Sequence, residues 1–290
     1  MSESLRRWRI IGLALLLLAL AGCAALRLVY KQADELLYWW ADGYVDFTDA
    51  QAPRVRAGLD EFFDWHRRTQ LPQYAARLAQ LQPQVTADTT PAAACAFKDE
   101  LQHWFDGAFE QGLPALSALA VTLEPDQLKS MQKRFDKLNR AFRDDFVKPD
   151  ADGRREALLK RTVERAEKLY GRLDHAQRER IGQIEAGSPF DGEHALRMRV
   201  SRQQDVIQTL RGLQGATPAQ AQAALRALAR RVEEPPDPGD RRYQLALQEF
   251  NCGLSAQIHN LSTPEQRRTA RERLRGWETD FRALAAQGKH

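Results

Sequence analysis

The stretch LKSMQKRFDKLNRAF, residues 128–142, decides the fold. Its apolar residues Leu128, Met131, Phe135, Leu138 and Phe142 recur in steps of three and four. That spacing puts them on one side of a helix with 3.6 residues per turn and turns most of the intervening charges to the other side. Working outward, the same rhythm recurs in both directions. It runs through Leu26, Tyr30, Ala33, Leu37 and Trp40; through Val55, Leu59, Phe62 and His66; and through Phe97, Leu101, Trp104 and Ala108. Toward the C-terminus it returns in Tyr243, Leu247, Phe250, Leu254 and Ile258, and in Ala270, Leu274, Trp277, Phe281 and Leu284. No segment sustains a period of two in β-branched residues, and no Asn-Gly or Asp-Gly hairpin separates such segments, so the predicted fold is all-α.

Breaks between the helices are legible as clusters of turn residues. They fall at Pro83 to Pro91, Lys148 to Gly153, Ala186 to Gly192 and, with three prolines, Glu233 to Asp240. None is long enough to require separate domains. Helix starts carry capping boxes: Thr217-Pro218-Ala219-Gln220 and Thr263-Pro264-Glu265-Gln266, with weaker forms at Asp174 to Gln177 and Glu124 to Gln127. Proline at the first helical position lacks only an N–H that would have no intrahelical partner. The spacing of the four glutamines suggests a loose repeat of helical hairpins.

The chain of 290 residues is 43% hydrophobic and 28% charged, which excludes collagen-like, disulfide-dense and wholly disordered classes. Its 43 basic and 39 acidic residues give a net charge of +4. Arg6, Arg7 and Arg9, set against Glu3, lie in a segment that reads as removable. They form a positive n-region ahead of an apolar run from Ile10 to Leu20. As a helix that run spans only ~16 Å, about half of a hydrocarbon core, so it reads as a signal peptide over residues 1–22 and not as an anchor. The remaining chain is nearly neutral and gives no basis for nucleic-acid binding.

The residues Leu20-Ala21-Gly22-Cys23 resemble the lipobox of bacterial lipoproteins. The resemblance implies acylation of the Cys23 thiol, which becomes the first residue after cleavage. Ala24, where an aspartate would favour inner-membrane retention, implies sorting to the outer membrane. Residues 23–290 are then expected to form a single helical domain facing the periplasm. Apart from the lipid on Cys23, no cofactor is expected.

Cys95 and Cys252 remain. In an exported chain an even pair reads as a disulfide, since the periplasm is oxidising. A metal reading competes through His103 and His259, but on straight helices each Cys to His separation is ~10–12 Å, too far for one ion. No metal is expected.

A resemblance covers most of the chain after Cys23. Leu28-Val29-Tyr30, the Trp39-Trp40 pair, Trp65-His66-Arg67-Arg68, Leu71-Pro72, Tyr74, Asn251-Cys252 and Ile258-His259-Asn260 resemble an uncharacterised lipoprotein family of proteobacteria. That resemblance implies a helical lipoprotein and no particular mechanism. Leu123 to Gln127 and Leu173 to Gln177 resemble the LTxxQ motif of small periplasmic chaperones, with Glu124 and Asp174 in place of Thr.

Candidate functional residues are few. His66 lies on the apolar stripe of its helix, where a satisfied core or boundary histidine is the default; beside Arg67 and Arg68 it is also a candidate for binding an anion or partner. Arg268, Arg271 and Arg275 make the last helix basic, either as a solvated face or as a contact for an anionic envelope component. The aromatic residues Tyr30, Tyr38, Trp39 and Trp40 of the first helix either pack into the core, the expected fate of the stripe that includes Trp40, or meet the membrane interface.

Ser130 to Lys133 has the spacing of a serine-lysine nucleophile but lacks its companion motifs, and Asp150, Asp152 and Gly153 do not fit a calcium loop. No catalytic residue is assigned. The expected function is a non-catalytic structural or interaction role in the envelope, in contact with the membrane through the lipid and with an envelope protein or anionic component. Chaperone-like holding and an enzyme with a dispersed helical site are the alternatives.

Overall fold

The computed structural model describes residues 27–287. The signal-like segment 1–22, the lipobox and Cys23 lie outside them. Among the described residues there are 11 α-helices, one π turn and no strands. A helical lead-in over 27–31 precedes α1 (Ala33–Val45). Then follow α2 (Ala52–Trp65), the π turn (His66–Gln70), α3 (Leu71–Gln84), α4 (Pro91–Ala120), α5 (Pro125–Phe146) and α6 (Ala151–Tyr170). The remainder is α7 (His175–Glu185), α8 (Gly192–Arg211), α9 (Pro218–Glu233), α10 (Pro238–Leu261) and α11 (Pro264–Ala285). No helix among the described residues is long and apolar enough to cross a membrane.

The helix starts follow from the sequence. Thr90, Asp150, Asp174, Asp191, Thr217, Asp237 and Thr263 each cap the following helix by accepting from a backbone N–H three residues on. Such a cap satisfies a donor the helix cannot, contributing ~1 kcal/mol each. The breaks are narrower than the turn residues suggest. Pro83 continues the last turn of α3, and the three-proline stretch interrupts the helices only over 234–237, because Pro238 occupies the first turn of α10.

Two apolar clusters organise the packing. One gathers Leu113 and Ala120 of α4, Leu128 and Met131 of α5, Ile207 and Leu210 of α8, and Ala221 and Leu225 of α9. The other gathers Val85, Val163 and Tyr170 around α6, Ile181 of α7, and Ala270 and Leu274 of α11. The most extensive helix pair is α3 against α11, which brings the C-terminal helix beside the π turn. The disulfide between Cys95 and Cys252 ties α4 to α10 across 157 residues, with Cα atoms 5.2 Å apart.

The capping glutamines do more than cap. Gln51 and Gln127 face each other in a reciprocal amide pair, with Nε2 to Oε1 distances of 3.1 and 2.7 Å. Each Oε1 also accepts from the backbone N–H three residues earlier, that of Thr48 and that of Glu124, and the Nε2 groups reach Thr122 O and Asp46 O. Gln177 and Gln266 repeat the arrangement at 2.7 and 2.9 Å, with Nε2 donated to Leu261 O and Arg172 O. Each pair clasps two inter-helix turns together. The glutamines thus associate by contact and not by their spacing in the sequence: the pairs are 51 with 127 and 177 with 266, while Gln220 caps α9 alone and is exposed.

One close approach tests this packing. A Cβ built on Gly192, at the start of α8, would stand 2.2 Å from the Phe146 carbonyl oxygen at the end of α5. Alanine normally improves a helix over glycine by up to ~1 kcal/mol. Here the neighbour is backbone, so the sign reverses. Gly192→Ala is expected to destabilise the protein by about 2–3 kcal/mol, the range of overpacked cores. An unchanged or raised urea midpoint would contradict the tight α5–α8 contact.

A candidate binding site at the π turn

α2, the π turn and α3 form one long helical arm, and α4 runs back beside it. The π turn is a local consequence of Pro72. Proline has no N–H and its ring crowds the carbonyl four residues earlier, so the helix widens and the Leu71 N–H bonds His66 O instead. The two arms touch closely where Gly58 meets Ala115; a Cβ on Gly58 would lie 2.9 Å from the Ala115 Cβ. They touch again where Tyr74 and Trp104 bring their rings to 4.5 Å and Arg77 Nε donates to Glu100 at 2.7 Å.

Between these contacts lies a cavity of about 540 Å³. Phe97, Leu101, Trp104 and Ala108 line it from α4, Phe62 and His66 from the opposite arm, and Tyr74, Leu78 and Phe281 close it. Two stripes read from the sequence thus face each other without filling the space between them. A second cleft of about 260 Å³ continues along the same arms, lined by Leu37, Val55, Leu59, Gly112 and Leu119. The two share Phe62 and Ala108. Phe105 and Leu116 stand exposed on α4 at their margins, 69% and 46% accessible.

His66 is the only histidine among the lining residues. Its Nδ1 is 2.8 Å from the Tyr30 hydroxyl, and its ring stacks with Tyr30 and Phe62. Burial, reinforced by the Arg67 charge, holds the imidazole pKa below its ordinary value. Burial also raises the phenols, Tyr30 to about 12 and Tyr74 in the same direction. The native state therefore favours neutral His66. Its contribution to stability is present above the unfolded value of ~6.5 and is lost as pH falls below it toward the lowered native pKa. His66→Phe should accordingly flatten the decline of the urea midpoint between pH 7.5 and 5.5; a slope identical to the parent protein would remove His66 from that linkage.

The arginines beside it do not converge on the cavity. Arg67 pairs with Asp64 at 3.4 Å, and Arg68 is exposed with Nε donated to Asp64 O. Arg268, Arg271 and Arg275 lie on the exposed side of α11, and among the described residues no ion pair holds them. Their helix neighbours are structural: Arg267 pairs with Asp88, and Arg273 donates to Glu167 O. His259, the histidine of the metal reading, is buried, with Nδ1 at 2.8 Å from the Tyr170 hydroxyl and Nε2 at 2.7 Å from Ala87 O. With Cys252 and Cys95 bonded to each other, those residues staple and brace the chain. No cluster of metal-ligating side chains occurs among the described residues.

Nothing in the sequence signalled that several residues of this site belong together. Tyr30 and Phe281 come from the two ends of the chain, and only packing brings them to the π turn. The leucine-proline pair at 71–72 is the one local signal that the helix must widen there.

An all-α protein with an apolar cleft between two long helical arms is what fold and site define. The chain belongs to the family described as "Family of unknown function (DUF6279)", which matches residues 43–235. That span includes both arms of the cleft. No curated protein and no solved structure matches the chain.

Proposed function

We propose that this is a lipid-anchored outer-membrane protein, held through Cys23, whose periplasmic helical body binds an apolar ligand or segment in the cleft between its two arms and performs no catalysis. The observation that carries this reading is the cleft itself, apolar over most of its lining and open beside exposed Phe105 and Leu116. Concave apolar surface of this kind serves binding. Catalysis by acid, base or nucleophile calls for converging ionisable groups. The 540 Å³ cavity offers His66, Tyr74 and an Arg77 already paired with Glu100, and no carboxylate lines it.

Ala108 lies at the waist shared by both parts of the cleft. Titration of the full chain with an apolar fluorescent probe should give saturable binding that Ala108→Phe abolishes while the far-ultraviolet spectrum stays helical. Equal binding by both proteins would refute the cleft as the site. Separately, mass analysis of the N-terminal peptide and membrane fractionation test the lipid and its membrane.

A second reading, chaperone-like holding, is favoured by the LTxxQ-like capping boxes that the glutamine clasps build into the turns. It predicts suppression of the aggregation of a heat-denatured client enzyme at near-stoichiometric ratio, lost in Ala108→Phe.

A further inference from the structure

Of the first-helix stripe that the sequence assigned to the core, the body partly covers Tyr30, Ala33 and Leu37 and leaves Trp40 outside. Trp40 is 61% and Trp39 62% accessible, and the aromatic residue buried instead is Tyr38. The reason is geometric: the body takes the side of the helix that carries Tyr38 and Leu37, packing it against α2 and α5. Within α1, at 100° per residue, Leu36, Trp39, Trp40 and Gly43 share an arc of ~100° that contains no charged residue, and Leu28 and Val29 of the lead-in precede it. Leu28, Val29 and Leu36 are each at least half exposed. At its edge the carboxylate of Glu35 is neutralised by Arg56, whose guanidinium lies 3.7 Å over the Tyr38 ring.

This face has no slack behind it. Arg27 Nε donates at 2.6 Å to Asp280, a carboxylate only 1% exposed on α11, and Tyr30 meets His66. The start of the helical body is thus fixed to its far end. From Cys23 to Arg27 the chain reaches at most ~14 Å when fully extended.

We propose that this uncharged face of α1 is a membrane-docking surface, seated in the headgroup region of the same bilayer that holds the lipid on Cys23. The proposal rests on the lipid-anchor reading above. A lipid on Cys23 leaves too short a tether for the body to stand away from the bilayer, and the residues nearest the tether are the ones that favour an interface. Tryptophan in particular partitions to the headgroup level, with its apolar body inward and its N–H in the wet region.

The test uses the full-length protein, processed in cells and reconstituted in vesicles of phosphatidylethanolamine and phosphatidylglycerol whose acyl chains carry bromine. Tryptophan emission should shift to the blue and be quenched, and Trp39→Phe/Trp40→Phe should lose most of the quenchable emission. Both side chains are exposed, so that variant should retain its helical spectrum and urea midpoint. Mass analysis of the N-terminal peptide accompanies the measurement. An acylated Cys23 with unquenched tryptophans overturns the docking face and leaves the anchor intact. So does a concentration-dependent dimer in detergent that the double variant abolishes, since a second copy then covers the face. A Cys23 without lipid overturns both readings.

Discussion

Replacing Cys95 and Cys252 together by serine is expected to lower the unfolding free energy by about 3–5 kcal/mol. The bond closes a loop of 157 residues, for which the chain-entropy relation gives ~5 kcal/mol, while native disulfides more commonly measure ~2–4. The upper part of that range applies because the bridge joins helices that already pack against each other. α4 and α10 form one of the larger contacts of the fold, so the folded state has little to gain from breaking the bond. The effect acts mainly on the unfolded chain, whose freedom between residue 95 and residue 252 is restored. The native far-ultraviolet spectrum should therefore be unchanged while the urea midpoint falls. Reductant should reproduce the shift in the parent protein and do nothing to the double variant. A loss below about 1 kcal/mol would mean that the unfolded chain is held compact by other means.

How much of this architecture was legible in the sequence depends on the range of the signal. The all-α class followed from stripes such as Leu128 to Phe142, because period and burial are set within a few turns of one helix. The staple followed from two cysteines and compartment chemistry. The cavity was not legible, although four of its walls, Phe97, Leu101, Trp104 and Ala108, were read correctly as one stripe. A stripe says which side turns inward and nothing about whether the opposing stripe fills the gap. Helix one shows the complementary failure. Its periodicity placed Trp40 in the core beside Leu37, but a stripe on a peripheral helix is wide enough to be only partly covered, and the body covers the Tyr38 side. His66 kept its expected character as a bonded boundary histidine, yet its partner Tyr30 lies 36 residues away and no local pattern pairs them.

The glutamines lead to the second large effect. Gln127→Ala should destabilise the protein by about 3–4 kcal/mol, more than any loss of a single helix cap. The Gln127 side chain is 5% exposed and joins four groups: Glu124 N–H, Asp46 O and both ends of the Gln51 amide. Each net hydrogen bond contributes ~1 kcal/mol, and a buried partner left unsatisfied adds ~1–3. Gln51, itself 7% exposed, would be such a partner, and Asp46, held at a left-handed φ of 61°, would lose the bond to its carbonyl. Gln51→Ala should cost a similar amount. The double variant should cost less than the sum, with a coupling of about 1–3 kcal/mol, since the second truncation removes the stranded amide. In the other clasp Gln266 is only half-buried, so water can replace part of what Gln266→Ala removes, and its effect should be smaller. Gln220 supplies the control. Its Oε1 accepts from Thr217 N–H at 2.9 Å as in every other box, but the side chain is exposed and faces no second glutamine. Gln220→Ala should therefore cost at most about 1 kcal/mol, the worth of a cap. If it costs as much as Gln127→Ala, the glutamines act through local capping alone, and the bond between distant turns contributes nothing measurable.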